Sequence, residues 1–124
     1  MNKLVVFILT VMFPFAAVAD NCDNPKDDFD GLYCLNKVYQ EADKELNSSY
    51  KTLRTFLNAG QKEKLVKTQR AWIEERNSKC SYRDEENGFF VNLDCTAEMT
   101  ISRTNELNDR IRECKATGCQ ESKL

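Results

Sequence analysis

The stretch that decides the fold is residues 69–80, which reads Gln69-Arg70-Ala71-Trp72-Ile73-Glu74-Glu75-Arg76 and closes with Cys80 after three more residues. Within it Gln69, Trp72 and Arg76 are spaced three and four apart, so on an α-helix they share one face. A helical face that carries a tryptophan and an arginine is suited to contact with other protein. We therefore predict that this stripe packs inside a helical bundle.

A first helix is predicted upstream, because inward-facing residues recur there at alternating steps of four and three. That spacing is typical of a helix that packs against its neighbours at a shallow angle. Its stripe consists of Leu35, Tyr39, Ala42, Leu46, Ser49, Leu53 and Phe56. We expect this helix to end near Asn58-Ala59-Gly60, where asparagine and glycine indicate a turn.

Two more helices follow. The second is predicted over about 61–80, with Leu65, Gln69, Trp72, Ile73 and Arg76 facing inward. The third is predicted over about 96–114, with Met99, Arg103, Leu107 and Ile111 facing inward. Residues 81–94 form the one substantial irregular segment. The predicted fold class is all-α: a disulfide-stapled three-helix up-down-up bundle, with an irregular loop between the second and third helices.

The first residues have the pattern of a secretory signal peptide. A short basic start, Met1-Asn2-Lys3, precedes an apolar run to Ala16, and the small residues Ala17-Val18-Ala19 suit cleavage. A membrane anchor is the alternative reading, but the run is shorter than the roughly 20 residues that span a bilayer. We predict cleavage after Ala19, leaving a single helical domain over residues 20–124 that is periplasmic or secreted.

All six cysteines fall after that site: Cys22, Cys34, Cys80, Cys95, Cys114 and Cys119. An even number in a small exported domain predicts three disulfides. A metal site is the competing reading, but the chain has no Cys-x-x-Cys pair and no histidine. The lack of histidine also removes the commonest general base. We predict no metal, no cofactor and no enzymatic activity.

The expected bridges are mostly local. In an up-down-up bundle Cys114 lies at the opposite end from Cys34, Cys80 and Cys95, so only Cys119 is within easy reach of it. Cys80 with Cys95 would close a loop of about 15 residues, which stabilises by roughly 3 kcal/mol. Cys22 with Cys34 then follows by elimination. The rival pairing joins Cys22 to Cys80 and Cys34 to Cys95.

The contacts between the first two helices follow from the predicted turn. A hairpin that closes at residues 59–60 places Asp43 opposite Arg76, Asn47 near Trp72 and Tyr50 near Gln69. Every polar residue on the inner stripe then has a polar partner, as buried polar groups require. In this structural interpretation Arg103 lies over Trp72 in a cation–π contact. The functional alternative is a binding cleft built from Gln69, Trp72, Arg76 and Arg103.

The segment between the second and third helices is the candidate partner-binding region. It holds an acidic cluster beside a glycine and several aromatic residues, namely Tyr82, Arg83, Asp84, Glu85, Glu86, Phe89 and Phe90. Aromatic residues and arginine are common anchors at protein interfaces. In the alternative, Phe89 and Phe90 cap the base of the bundle and the acids are only solvated.

Three groups of residues together resemble the lysozyme inhibitor LprI-like domain of exported bacterial proteins. They read Asp43-x-x-Leu46-Asn47-x-x-Tyr50, then Gln69-Arg70-Ala71-Trp72-Ile73-x-x-Arg76-x-x-x-Cys80, then Cys95-x-x-x-Met99-Thr100-x-x-Arg103-x-x-x-Leu107. The resemblance extends from about Cys22 to Cys114. It implies a small disulfide-bonded helical domain in the periplasm or at the cell surface, and a protein partner such as a basic lysozyme. We interpret most of the motif residues as structural.

Other functions stay open at this stage. A periplasmic immunity protein against a toxin, or a structural or envelope-stress protein without an enzyme target, would suit the same small domain. A glycosidase would need two carboxylates about 5 to 9 Å apart, and nothing in the sequence singles out such a pair. Nucleic-acid binding is disfavoured by the net charge of −2. No membrane association is expected after signal cleavage.

Overall fold

The computed structural model describes residues 22–124 and contains three long helices and one small antiparallel sheet. Its elements are α1 (Asp28–Arg54), α2 (Ala59–Cys80), β1 (Ser81–Asp84), β2 (Gly88–Val91), α3 (Leu93–Thr117) and a 3-10 helix (Glu121–Lys123). The predicted signal peptide, residues 1–19, lies outside the described part. None of the helices described is long and apolar enough to cross a membrane.

Helix α1 starts seven residues before the predicted stripe and ends before the predicted turn. Asp27 caps its first turn, since the side chain accepts a hydrogen bond from the backbone N–H of Asp30 at 2.9 Å. The predicted end at Asn58-Ala59-Gly60 was wrong, because α1 stops at Arg54. Asn58 instead starts α2 in a reciprocal capping box with Gln61. Asparagine is common both at the end of a helix and at the cap before the next one, so the sequence did not show that Asn58 belongs to α2.

The core is a cluster of aliphatic side chains contributed by all three helices and by the turn between α1 and α2. Its buried members are Leu46, Leu53, Leu57, Leu65, Leu107 and Ile111. The middle of the predicted α1 stripe is buried, but its ends, Leu35 and Phe56, are exposed. Ile73, predicted to face inward on α2, is also exposed. The stripe therefore identified the core, but it extended the buried region too far in both directions.

The contacts between helices have a consistent order. Ser49 of α1 donates a hydrogen bond to Asn108 of α3. Seven residues further along the chain in each case, the ammonium group of Lys115 on α3 lies over the ring of Phe56, just after the end of α1. These contacts advance together, as expected for helices that run in the same direction. Contacts between α2 and α3 instead run in opposite order, from Gln69 with Arg103 to Arg76 with Thr100.

Three threonines line the buried face of α3 at intervals of one helical turn. Thr96, Thr100 and Thr104 each donate a hydroxyl hydrogen bond to the carbonyl oxygen four residues earlier, at 2.7 to 2.9 Å. A hydroxyl satisfied in this way can be buried at little cost. Only Thr100 was singled out from the sequence, although the spacing of four was visible there.

The segment predicted to be irregular is mostly a β-hairpin. Strands β1 and β2 pair antiparallel, with Tyr82 opposite Phe90 and Arg83 opposite Phe89. Strands of four residues are too short to show a clear alternation of apolar and polar side chains, so the sequence pattern beside the charged turn did not predict them. Gly88 has φ +91°, a conformation that glycine adopts without strain. The fold is therefore a three-helix domain with an added hairpin between α2 and α3.

Three disulfides close the described part of the chain, and they join the pairs favoured from the sequence. Cys22 bonds Cys34 at the start of α1, Cys80 bonds Cys95 at the base of the hairpin, and Cys114 bonds Cys119 after α3. The rival pairing of Cys22 with Cys80 and Cys34 with Cys95 is not found. Every cysteine is engaged.

Candidate functional site

The hairpin presents one pair of interacting side chains on each of its faces. The rings of Tyr82 and Phe90 stack with their centroids 5.1 Å apart. On the other face, the guanidinium of Arg83 lies over the ring of Phe89, 5.3 Å from its centroid. Phe89 remains 74 % exposed and Tyr82 64 % exposed. The alternative in which Phe89 and Phe90 cap the bundle does not agree with this exposure.

The three acidic residues at the tip of the hairpin differ in their contacts: Asp84 accepts the hydrogen bonds of the turn, whereas the carboxylates of Glu85 and Glu86 are exposed. Asp84 accepts hydrogen bonds from the backbone N–H groups of Glu86 and Asn87 and from the Asn87 amide, at 2.7 to 3.0 Å. Those bonds to the carboxylate hold the pKa of Asp84 below its usual range, led by the bond from Asn87. Glu85 and Glu86 are exposed and keep their side chains available.

The hairpin is tied firmly to the bundle at its base. Strand β1 follows α2 without an intervening residue, and the backbone N–H of Asn92 donates to the carbonyl of Cys80 at 2.8 Å. The disulfide from Cys80 to Cys95 then joins the end of α2 to the start of α3 across the hairpin. Because both ends are fixed, the exposed rings are held in a defined position relative to the helices.

Arg76 is buried, but its partners are not the ones predicted. No ion pair joins it to Asp43 within the described residues. Its Nη1 donates to the hydroxyl of Thr100 at 3.3 Å, and its Nε and Nη2 donate to the side-chain oxygen of Asn77. The guanidinium also lies 5.0 Å from the ring centroid of Trp72 and 5.9 Å from that of Tyr39. Two aromatic faces therefore take the place of the expected carboxylate.

Arg103 likewise makes contacts other than the predicted one. The expected cation–π contact with Trp72 was wrong, because Arg76 occupies that ring. Arg103 instead donates through Nε to the amide oxygen of Gln69 at 3.0 Å and through Nη1 to Glu106 at 2.8 Å. Its side chain is only 15 % exposed. This link between α2 and α3 explains why an amide and a guanidinium can both be buried here.

The other proposed pairs between α1 and α2 are also not joined by hydrogen bonds in the described residues. Asn47 donates to Asp43 within its own helix at 3.3 Å, and does not bond Trp72. Tyr50 receives a hydrogen bond from Arg54 at 3.4 Å, while the oxygen of Gln69 is taken by Arg103. Instead, several of these residues face one another across an open cleft between the two helices. Eight of the motif residues line that cleft: Asp43, Leu46, Asn47, Tyr50, Gln69, Arg70, Ile73 and Arg76.

Three further motif residues make contacts inside the domain. Trp72 packs against the aliphatic core, Leu107 belongs to it, and Thr100 holds Arg76. In residues 22–124, no group of three histidine, cysteine, aspartate or glutamate side chains is arranged to hold a metal ion. The hairpin and the cleft are therefore both candidate surfaces for a partner.

These features define a class: a small helical domain held by three disulfides, with an exposed aromatic hairpin fixed to one end. The sequence profile of the lysozyme inhibitor LprI family matches residues 22–107, which include α1, α2, the hairpin and the first part of α3. The chain belongs to this family. No match was found among curated proteins or among solved structures.

Proposed function

We propose that the chain is an exported protein-binding domain that inhibits a lysozyme or a related peptidoglycan hydrolase, and that it binds through the hairpin of residues 81–91. Membership of the lysozyme inhibitor LprI family supports an inhibitory, non-enzymatic role. The three disulfides fit an oxidising compartment. Export itself rests on the signal peptide proposed for residues 1–19, with the mature domain covering residues 20–124.

The exposed aromatic residues of the hairpin carry the proposal. Phe89 and Tyr82 are large apolar side chains left in water, although each has a cross-strand partner that fixes its position. Ordering side chains before binding lowers the entropic cost of association. Rings and arginine held in this way are the residues that most often supply binding energy at an interface. A narrow hairpin is also convex, so it suits the substrate cleft of a glycosidase.

Charge supports the same kind of partner. Glu85 and Glu86 lie free at the hairpin tip, and the whole chain has a net charge of −2. A basic enzyme would be attracted to this end during the approach, and the attraction would weaken with salt. Arg83, directly behind the tip, can then pair with carboxylates inside a cleft.

Inhibition of a basic animal lysozyme by the mature protein is the direct test. Wild type should reduce hydrolysis of bacterial cell walls at micromolar concentration. Phe89→Ala and Arg83→Ala should each weaken binding by at least about 2 kcal/mol, mainly through faster dissociation. Phe29→Ala is the matched control, since Phe29 is 77 % exposed at the start of α1, outside the hairpin. It should bind like wild type.

The electrostatic attraction of a basic enzyme by Glu85 and Glu86 is tested with a separate variant. Glu85→Gln combined with Glu86→Gln should slow association at low salt and have little effect at high salt. Glu74→Gln combined with Glu98→Gln removes the same charge from the exposed surfaces of α2 and α3 and should change association less. Asp84 is left intact because its side chain builds the turn. A wild-type protein without effect on lysozyme would favour an immunity or envelope role instead.

A further inference from the structure

A concave and mostly apolar site lies at the base of the hairpin, where the strands meet the helices. This hairpin-base cleft has a volume of about 480 Å³, and its lining consists of Tyr39, Arg76, Asn77, Cys80, Ser81, Val91, Leu93 and Thr96. The disulfide between Cys80 and Cys95 joins the end of α2 to the start of α3 beside it. The walls of the cleft are therefore held in place before any partner binds.

The groups that this cleft offers to a partner are apolar. Val91 is 58 % exposed and Leu93 is half-buried. The guanidinium of Arg76 also lines the cleft, but its hydrogen bonds and its ring contacts are made within the domain, so we assign it no bond to a partner. A fixed hollow with exposed aliphatic groups suits an apolar side chain.

Strand geometry connects the cleft to one face of the hairpin. Side chains two residues apart in a strand point to the same face of a sheet. Ser81 therefore shares a face with Arg83 on β1, and Val91 shares a face with Phe89 on β2. The register pairs Ser81 with Val91 directly below the pair of Arg83 with Phe89. The face that carries the cation–π pair thus leads into the hairpin-base cleft.

The opposite face of the hairpin has a different character. The rings of Tyr82 and Phe90 stack at 5.1 Å with an angle of 11° between their planes, so each ring covers one side of the other. Neither residue lines the hairpin-base cleft. This face has no concave continuation at the base comparable to that of the Arg83–Phe89 face.

Arg83 adds a charge to the face that continues into the cleft. It is exposed, it lies over the ring of Phe89, and it forms no ion pair in the part of the chain that the structure describes. An exposed guanidinium can bind a carboxylate through two parallel hydrogen bonds. The step from Phe89 to Val91 is two strand residues, which separates the charged and the apolar contact by roughly 7 Å.

We propose that the partner enzyme binds the Arg83–Phe89 face of the hairpin and inserts an aliphatic side chain into the hairpin-base cleft. The matching surface of the enzyme then carries a carboxylate for Arg83 and, roughly 7 Å away, an aliphatic group that contacts Val91 and Leu93. The stacked pair on the opposite face stiffens the hairpin and points away from the enzyme. This inference rests on the proposed function, because it selects one face of the hairpin that is proposed to bind the enzyme.

Val91→Thr is the variant that tests the cleft, with binding to a basic animal lysozyme measured by calorimetry. Threonine keeps the β-branched shape that suits a strand but places a hydroxyl in the apolar contact, so binding should weaken by about tenfold. Tyr82→Thr is the matched control. It introduces the same residue on the opposite face and removes a larger exposed ring, yet it should bind within about twofold of wild type. Circular dichroism and the intact disulfide from Cys80 to Cys95 check that both variants are folded.

A measurement on the wild-type complex does not depend on any variant. In NMR spectra of the mature protein bound to lysozyme, the methyl groups of Val91 and Leu93 should show nuclear Overhauser contacts to aliphatic protons of lysozyme. The ring of Tyr82 should show none. Contacts to Tyr82 in place of Val91 and Leu93 would overturn the inference.

The outcomes separate this inference from the proposed function. Binding that is weakened in Phe89→Ala but unchanged in Val91→Thr would overturn the use of the cleft and leave the hairpin as the binding site. Equal losses in Tyr82→Thr and Val91→Thr would overturn the choice of face. A wild-type protein that does not bind lysozyme would overturn the proposed function and this inference with it.

Discussion

Arg76 on α2 donates a hydrogen bond to the hydroxyl of Thr100 on α3 at 3.3 Å, and Thr100 is completely buried. The same hydroxyl donates a hydrogen bond to the backbone carbonyl of Thr96, so it is both an acceptor and a donor. This small network holds a charged side chain in the interior without a carboxylate. It links the stripe that decided the fold to the helix that completes the bundle.

Thr100→Val should lower the free energy of unfolding by about 1 to 2 kcal/mol, because Arg76 loses a buried acceptor. Thr104→Val is the matched control: Thr104 is also buried and bonds the carbonyl four residues earlier, but it accepts nothing from Arg76. Its loss should be smaller than that of Thr100→Val. Urea denaturation followed by circular dichroism measures both. Equal losses would show that the bond to Arg76 contributes nothing.

Arg76→Ala and Asp43→Asn should have unequal effects on stability. Arg76→Ala removes hydrogen bonds and the packing on Trp72 and Tyr39, and we expect a loss of about 2 to 3 kcal/mol. Asp43→Asn should cost less than about 0.5 kcal/mol, because Asp43 has no ion pair with Arg76 to lose. Thermal melts of the two variants decide the point. A large loss of stability in Asp43→Asn would instead support the ion pair between Asp43 and Arg76 that was expected from the sequence.

Non-reducing peptide mapping should recover three linked pairs. Cleavage at Arg83 separates the halves of the hairpin, so Cys80 and Cys95 should be found in two peptides joined by their disulfide. Cys22 should appear with Cys34, and Cys114 with Cys119. A peptide that links Cys22 to Cys80 would contradict this arrangement and the position of the first helix.

The hairpin should become less ordered in acid because of Asp84. Its pKa is lowered in the folded state by the bonds from Asn87 and Glu86, so its contribution is fully present above the unfolded value of about 4 and is lost as the pH falls through the lower pKa of the folded state. Amide exchange at Glu86 and Asn87 should therefore rise below about pH 4.

Asp84→Asn separates this effect from general acid unfolding. Its amide oxygen can accept the same backbone bonds without titrating, so exchange at the tip should lose its pH dependence in this range. Asp84→Ala should raise exchange at every pH. Tip exchange in wild type that follows the helices at all pH values would mean that Asp84 does not control the turn.

The sequence by itself determined the three helices, much of the core and the pairing of Cys114 with Cys119, whereas the pairing of the other four cysteines stayed open between two alternatives. Each depends on spacing along the chain: Leu46 and Leu53 are one seam of α1, and Gln69, Trp72 and Arg76 are one face of α2. Local pairs such as Cys80 with Cys95 follow once the helices are placed. Helical periodicity and short loop closure are local properties, so they can be derived without coordinates.

The tertiary structure decided the partner of Arg76, the hairpin and the open cleft. A one-residue difference in the turn at Asn58, or a helix that leans toward α3, changes which side chains meet across α1 and α2. Arithmetic on residue numbers placed Asp43 opposite Arg76, but it could not show that the helices stand apart there. Such contacts depend on how three helices pack around one small core. They also depend on whether aromatic rings or a carboxylate lie beside the buried guanidinium of Arg76.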